Sequence, residues 1–403
     1  MTDHVTCLGC GLSCDDISVV VRDGAIAEAR NACTLGARWF GDGKVPARTR
    51  VGGQDVDLQR AIDAAAALLR GARRPLVYLA PDMGNDTYGA ATAMADVLHA
   101  LLDSVTTVGT AGVGVLAGQA RGRTTATLSE LRNRADVIVF WGVDPGVQYP
   151  RFTSRVAPEP AGMFLTGARR VIAVDVGNAV GPRDATERVA FAAEEEGAAL
   201  ALTRAAVVGN RVAASPLATR AAALATSLTA GKYVALVVDG EASPEIEALH
   251  ALAEGLNGPT RCAIAVLRAG GNRSGADATL TGQTGYPMAV DFARGVPRYV
   301  PYDGADRQLA RGAIDVALIV GSVAGIPQSV GWQKTQCIVI GPRASASPFP
   351  TAVAIDTGVA GIHDSGGAVR MDDMPLPLRA SLPDAVPRGL TVVQQLLAKV
   401  ANP

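Results

Sequence analysis

Short, continuous apolar runs recur along most of the chain. These runs lack the alternation of polar and apolar positions that a half-exposed strand shows, so they predict strands buried on both faces of parallel sheets. The runs are Pro75–Ala80, Val137–Trp141, Val171–Val176, Tyr233–Val238, Ala263–Leu267, Val316–Val320 and Ile338–Ile340.

Ala-rich segments separate most of these runs and predict helices. Asp57 is predicted to cap a helix over Leu58–Arg70, because a carboxylate at this position accepts a free backbone N–H of the first turn. The acidic run Glu194–Glu196 lies in another such segment and is predicted to form a solvent-exposed helix face.

So many buried strands exceed one ordinary sheet. The predicted fold class is α/β, with a small N-terminal β-rich metal-binding domain and two doubly wound, mainly parallel-sheet Rossmann-like domains. The predicted bounds are 1–55 for the small domain, 56–150 with about 300–403 for the first α/β domain, and 151–299 for an inserted second α/β domain.

Composition limits the function classes. The chain has 403 residues, with 37 Lys and Arg against 38 Asp and Glu, and this balance argues against nucleic-acid binding. Its first residues lack the basic and apolar regions of a signal peptide, and no apolar run is long enough to span a membrane. We therefore expect a cytoplasmic protein with no nucleic-acid or membrane partner.

The cysteines are clustered near the start of the chain. The four in the first 33 residues are Cys7, Cys10, Cys14 and Cys33. A predicted hairpin, Ile17–Arg30, would return Cys33 to the first three thiols, and four thiolates bind either tetrahedral zinc or a [4Fe–4S] cluster. Cys262 and Cys337 stand alone in apolar runs and are predicted to be buried thiols.

The rest of the chain offers little catalytic chemistry. The four histidines are dispersed, and none lies in the Ser/His or Cys/His context that acyl transfer requires. No phosphate-binding loop is present, which argues against a free-standing nucleotide-binding module. We therefore predict no catalytic residue in this chain.

Three stretches together resemble a known family. The start, CLGCGLSCDDI followed by Cys33, resembles the cluster-binding segment of molybdopterin and tungstopterin oxidoreductases. Residues 124–142 and 280–299 resemble the B subunit of formylmethanofuran dehydrogenase specifically, and residues 361–372 are a weaker match. The resemblance runs over nearly the whole chain and implies the α/β fold predicted above.

The chain departs from the family at the metal ligand. In the dehydrogenase, a cysteine or selenocysteine of the B subunit binds tungsten, and Thr110 or Ala111 occupies that position here. A hydroxyl or a methyl group cannot replace a soft thiolate, so molybdopterin or tungstopterin is expected to be absent. Without this metal ligand, the chain resembles the B subunit of the formyltransferase/hydrolase complexes of methylotrophic bacteria.

This second resemblance implies a function. Such complexes move a formyl group from formyl-tetrahydromethanopterin to methylofuran and hydrolyse it to formate, with both steps in other subunits. The chain would be a non-catalytic scaffold whose partners are those subunits and polyglutamylated methylofuran. Arg134, Arg151 and Arg155 are candidate contacts to the anionic carrier tail.

Two questions stay open at this stage. Zinc is favoured over [4Fe–4S] at the four cysteines, because a structural site needs no electron partner. The alternative function is an active molybdenum or tungsten pterin oxidoreductase of the formylmethanofuran dehydrogenase type, with an oxygen ligand or no protein ligand on the metal.

Overall fold

The computed structural model of the protein describes residues 1–157, 162–326, 329–383 and 386–402. The strands are β1 Thr2–Val5, β2 Ile17–Arg22, β3 Ala25–Arg30, β4 Thr49–Val51, β5 Gln54–Asp55, β6 Pro75–Leu79, β7 Leu101–Ser104, β8 Val137–Trp141, β9 Arg170–Val176, β10 Glu187–Phe191, β11 Tyr233–Asp239, β12 Arg261–Leu267, β13 Val290–Asp291, β14 Arg298–Tyr299, β15 Val316–Val320, β16 Gln336–Gly341, β17 Thr351–Asp356, β18 Gly366–Val369 and β19 Pro375–Leu378.

Helices follow most of the strands. They are α1 Thr34–Phe40, α2 Leu58–Gly71, α3 Asn85–Val97, α4 Thr110–Arg121, α5 Leu128–Arg134, α6 Pro145–Gln148, α7 Phe152–Val156, α8 Glu196–Val207, α9 Pro216–Thr229, α10 Ile246–Leu256, α11 Arg273–Thr284, α12 Ala305–Ala310, α13 Val330–Lys334 and α14 Gly389–Ala401. The Asp57 carboxylate accepts the Arg60 N–H at 2.8 Å, which confirms the predicted cap of α2.

Contacts within the chain define two compact units. The first unit contains Met1–Val108, Gly270–Arg370 and Pro375–Pro403, and the second contains Gly109–Ala269 with Met371–Met374. Strand β8, which the predicted bounds placed in the first α/β domain, lies in the second unit. The three-domain division otherwise stays a prediction.

The first unit is built on a nine-stranded sheet with the order β14-β13-β7-β6-β15-β16-β17-β4-β5. Its central strands, β7 to β17 in this order, are parallel, and the edge strands on both sides are antiparallel. Every residue of β6 and β15 is buried, as their continuous apolar runs predicted. After β6 the next strand of this sheet, β7, lies on one side, and after β15 the next strand, β16, lies on the opposite side. The strand order therefore reverses between β6 and β15, and the carboxyl ends of these two neighbours form the switch point of the sheet.

Helices cover both faces of this sheet. On one face α14 packs against α2 and α3, and α11 packs against α3. On the other face, the Trp332 ring of α13 contacts the Tyr78 ring edge-on, with 5.2 Å between the ring centroids. It also stacks on the Phe349 ring, with 5.5 Å between the ring centroids. The sheet is therefore a doubly covered α/β layer.

The second unit holds a five-stranded parallel sheet with the order β10-β9-β8-β11-β12. One sequence prediction in this unit, the solvent-exposed acidic run Glu194–Glu196, is wrong in part. Glu196 is 5% exposed, and its carboxylate accepts the Trp141 indole N–H at 2.9 Å, so the acidic run is not a solvated face throughout. The first residue of α8 instead ties that helix to the end of β8.

A small cap, residues 1–43, precedes the first large sheet. Strands β1, β2 and β3 form an antiparallel sheet, and Asp23 and Gly24 turn the β2–β3 hairpin with φ of 50° and 72°. A left-handed turn of this kind is what an Asp-Gly pair predicts. Helix α1 follows and completes the cap.

The predicted α/β class with large parallel sheets is confirmed. Each of the apolar runs named above forms a strand. Strands β7, β10 and β17 were not predicted, and neither were the shorter strands β1, β4, β5, β13, β14, β18 and β19. In the described residues, no helix combines the length and apolar character needed to cross a membrane. The cytoplasmic location stays a prediction.

Candidate functional site

Three of the four predicted metal ligands lie in one loop between β1 and β2. The loop is closed by its own backbone, since the Cys7 N–H donates to the Cys14 carbonyl at 2.8 Å and the Ser13 N–H donates to the Cys10 carbonyl at 3.1 Å. Ser13 takes the left-handed conformation with φ of 41°, which turns the chain between the second and third thiols. All three cysteines are buried.

The fourth cysteine approaches from helix α1. Cys33 is the residue that precedes this helix, and Gly36 lies one turn further on. A methyl group at Gly36 would lie 3.3 Å from the Cys7 sulfur and 3.9 Å from the Cys33 sulfur. The glycine therefore allows both sulfurs to lie against the first turn of α1.

The thiols also act on one another electrostatically. Burial raises the pKa of Cys7 to about 12, the Gly9 N–H opposes this rise, and the charges of the other three thiols add to it. Burial likewise raises the pKa of Cys10 to about 11, with further increases from Cys14 and Cys33. Because each thiolate disfavours the next, a cation among them would remove the repulsion.

The donor set suits a metal, but the thiols are not gathered into a formed site. Within the described ranges, no three His, Cys, Asp or Glu side chains are arranged as a metal-binding group. Four thiols near one another supply the ligand chemistry of structural zinc or of a [4Fe–4S] cluster, and binding either would require their deprotonation. The metal at Cys7, Cys10, Cys14 and Cys33 therefore stays a prediction.

The cysteine loop docks on a glycine pair of the first unit. The Gly271 N–H donates to the Leu8 carbonyl at 2.9 Å. A methyl group at Gly270 would lie 2.9 Å from the Gly9 carbonyl oxygen, so only glycine permits this approach of two backbones. The cap and the segment before α11 are thus in direct backbone contact.

Asn272, the next residue, holds this segment in place. It is fully buried, and its amide group donates to the Met83 carbonyl at 3.0 Å and to the Asn85 side chain at 2.8 Å. Its side-chain oxygen accepts the Val369 N–H at 2.9 Å. One side chain therefore joins the loop after β6, the start of α11 and strand β18.

A buried histidine ties the other end of the cap. The Val359 N–H donates to His363 Nδ1 at 3.0 Å, so the proton is on Nε2, which donates to the Gly43 carbonyl at 2.9 Å. Burial lowers the pKa of His363 and favours this neutral form. Sequence analysis missed both Asn272 and His363, although each lies in a Gly-rich stretch typical of close backbone packing.

Thr110 and Ala111, the two predicted candidates for the position of the tungsten ligand, begin helix α4. Gly109 precedes the helix with φ of 72°, and Thr110 is its first residue. The Thr110 hydroxyl is buried and has no hydrogen-bond partner in the described part of the chain. Neither a neutral hydroxyl nor a methyl group is a soft ligand for tungsten or molybdenum, so these two residues do not fit that group.

The three candidate carrier-binding arginines all lie in the second unit. Arg134 ends α5, and its guanidinium lies over the Phe164 ring at 5.4 Å. Arg151 precedes α7 and Arg155 lies in it. Helices α5 and α7 pack together, and the Arg132 guanidinium donates to the Arg155 carbonyl at 2.9 Å. Their role in carrier binding stays a prediction.

Comparisons with known proteins identify the relatives. No protein-family model matches the chain. The B subunit of tungsten-containing formylmethanofuran dehydrogenase 2 from Methanococcus maripaludis is 28% identical over an alignment of 436 positions, and its counterpart from Methanocaldococcus jannaschii is 29% identical over 444. Each match covers 98% of this chain and 98% of the relative.

A solved structure has the same fold. A chain of the formyltransferase/hydrolase complex from Methylorubrum extorquens, determined in complex with methylofuran, matches with a TM-score of 0.74 and 25% sequence identity. The match covers 87% of this chain and 98% of that one. The resemblance predicted from the sequence, to the B subunit of formylmethanofuran dehydrogenase and to the formyltransferase/hydrolase complex, is confirmed.

Proposed function

We propose that this chain is the B-type scaffold subunit of a formyltransferase/hydrolase complex, which converts formyl-tetrahydromethanopterin to formate via methylofuran. The observation that carries the proposal is the structural match, which extends over 98% of a chain of such a complex. The chain would help to assemble the other subunits and contribute no catalytic residue of its own.

A tagged copy of the chain, purified from its own host, tests this role. We expect the other subunits to co-purify and the assembly to release formate from formyl-tetrahydromethanopterin. The isolated chain should not catalyse the reaction. Recovery of the chain alone, with formate release intact in the fraction that lacks it, would contradict the proposal.

The carrier tail is the second part of the proposal. The polyglutamate of methylofuran is a polyanion, and a guanidinium binds a carboxylate through two parallel hydrogen bonds. Arg134, Arg151 and Arg155 are the proposed contacts, supported by their place on two helices that pack together. Replacing all three by Gln should weaken retention of methylofuran by the complex, while Arg211→Gln on an exposed loop should not.

The third part of the proposal is a structural metal at the four cysteines, with zinc favoured over [4Fe–4S]. A closed set of thiolates can order a loop without any redox role, and its binding free energy then adds to folding. Cys10→Ser should release the metal and speed amide exchange in residues 1–43. The amides of β15 and β16 should be unaffected, and assembled complexes should keep their turnover rate.

An active pterin oxidoreductase is the alternative function. The names of the two sequence relatives, which are tungsten-containing dehydrogenases, favour it. The hydroxyl of Thr110 and the methyl group of Ala111 oppose it, because neither is a soft ligand for tungsten. Stoichiometric tungsten or molybdenum in the purified assembly, together with a pterin in its acid extract, would support the alternative.

A further inference from the structure

The second unit carries a recess at the end of α5, of which the proposed function uses only Arg134. The recess has a volume of about 490 Å³ and lies where α5 ends, before β8 begins. Its lining is formed by Arg134, Asp136, the segment Phe164–Ala168 and Lys232. A shallower recess of about 300 Å³ shares Arg134 and Phe164, so this pair forms a ridge between the two.

The wall of the recess is a built structure. The Phe164 N–H donates to the Asn133 carbonyl at 3.0 Å. A methyl group at Gly162 would clash with the Arg132 carbonyl oxygen, so glycine is required for this approach. Arg169 is 3% exposed and donates from Nε to the Ala135 carbonyl at 3.0 Å. The segment is thus fastened to the end of α5 on both sides.

Two large apolar side chains nevertheless face solvent on this fastened segment. Met163 is 79% exposed and Phe164 is 62% exposed. The Arg134 guanidinium over the Phe164 ring makes a cation–π pair. Met, aromatic residues and Arg are the types enriched at protein–protein interfaces, and anchors of this kind carry most of the binding free energy there.

The charge at the rim is positive. The Asp136 carboxylate is engaged by the backbone, since it accepts the Lys232 N–H at 2.9 Å and the Tyr233 N–H at 2.8 Å. Glu130 lies 4.0 Å from Arg134 but is closer to Arg261, at 3.3 Å. The lining of the recess therefore carries two cations, Arg134 and Lys232, against the one carboxylate of Asp136, and its net charge is positive.

We propose that this recess docks an acidic segment of another protein subunit, with an apolar side chain covering Met163 and Phe164 and carboxylates meeting Arg134 and Lys232. Charge complementarity favours an acidic partner. The two exposed apolar side chains favour a polypeptide, because a simple anion has no apolar group to cover them. The identity of the partner as a member of the same complex rests on the proposed function. Arg134 is also a proposed carrier contact, and the two roles are distinguished below.

Photo-crosslinking tests the proposal directly. The photoreactive residue p-benzoylphenylalanine replaces Phe164 in the tagged chain, and Val180, which is 51% exposed in the same unit, receives it as the matched control. We expect the residue at 164, and not at 180, to crosslink to one other subunit, within a peptide rich in Asp or Glu. Crosslinks to a second copy of this chain, to methylofuran or to no molecule would overturn the proposal.

Charge reversal provides the second measurement. Lys232→Glu should reduce the amount of that subunit retained after a salt wash at least tenfold, and Arg211→Glu on an exposed loop should not. Full retention in Lys232→Glu would contradict the docking site while leaving the scaffold role intact. Failure of the unaltered chain to assemble with any subunit would instead contradict the scaffold role itself.

Discussion

The first unit contains two regions that are stabilised differently, the nine-stranded sheet and the cysteine cap of residues 1–43. The sheet has a large, continuous apolar core on each face. The apolar cluster that the cap shares with its surroundings is small and consists of Leu8, Ala360, Ala368 and Leu378, with Trp39 packed against it. The cap also buries apolar side chains of its own, among them Leu12, Ile17 and Phe40, and it is tied to the rest of the unit by specific contacts.

Those contacts are polar and come from distant parts of the chain. The Gly271 N–H reaches Leu8, His363 reaches Gly43, and the Thr6 hydroxyl donates to the Pro377 carbonyl at 2.7 Å. A hydrogen bond of this kind contributes about 1 kcal/mol net. The loss of one contact, or of a metal among the thiols, should therefore loosen the cap before the sheet.

The largest effect is expected in the core of the sheet. Trp332→Ala removes a ring that is 1% exposed and contacts both Tyr78 and Phe349, and should cost about 3–5 kcal/mol of unfolding free energy. Val330→Ala on the same helix is the control, because this side chain is 68% exposed and should change stability by less than about 0.5 kcal/mol. Urea denaturation measures both, and similar losses for the two variants would contradict the account.

The apolar runs explain why the sheet was predictable. A strand buried on both faces needs continuous apolar residues, and β6 and β15 show this pattern without interruption. Strand β7 was missed because its four residues follow a helical segment directly and end in Asp103 and Ser104. Strand β8 fell inside the predicted bounds of the first α/β domain, because pairing depends on distant strands, which leave no local pattern.

Asn272 holds the segment whose glycine pair contacts the cap, and its loss should have the next largest effect. Asn272→Ala leaves the Met83 carbonyl and the Val369 N–H buried without this partner, and should cost about 1–3 kcal/mol. Amide exchange in residues 7–14 should accelerate more than in β15. The exposed Asn402→Ala is the control, and equal acceleration in both regions would contradict a role specific to the cap.

Acidification should also act on the cap first. The pKa of His363 is lowered from its ordinary value of 6.5 by burial, opposed by the Gly43 hydrogen bond and by Asp364. The unfolded chain therefore binds a proton that the folded chain excludes, so stability is complete above about pH 6.5 and falls as the pH is lowered. His363→Asn should flatten the dependence of cap amide exchange on pH, and an unchanged slope would contradict this.

The smallest expected effects are changes in stability of opposite sign, from a glycine-to-alanine substitution beside the sheet and one in the cap. Gly282→Ala in α11 meets no atom within 4 Å and should stabilise the chain by up to about 1 kcal/mol, because alanine favours helix. Gly36→Ala in α1 places its methyl group 3.3 Å from the Cys7 sulfur and should destabilise the cap. Thermal melting compares the pair, and stabilisation by both would mean that the thiols do not crowd α1.

The site was predictable only in part. The four cysteines were predicted as metal ligands because metal-ligand spacing is local, and this stays a prediction. The hairpin between them follows from an Asp-Gly turn. Asn272 and His363 were missed because their roles depend on partners more than 90 residues away, as the 97 residues between Asn272 and Val369 illustrate. Glu196 was wrongly predicted to be solvent-exposed, because the acidic run gives no sign that the Trp141 indole donates a hydrogen bond to this carboxylate.

Metal analysis of the purified assembly tests the central claim most directly. Zinc, iron, molybdenum and tungsten would be quantified together, with an absorption spectrum of the same sample. The account predicts about one zinc per chain and neither molybdenum nor tungsten. Stoichiometric tungsten or molybdenum would contradict it, because the chain would then be a working redox enzyme rather than a scaffold.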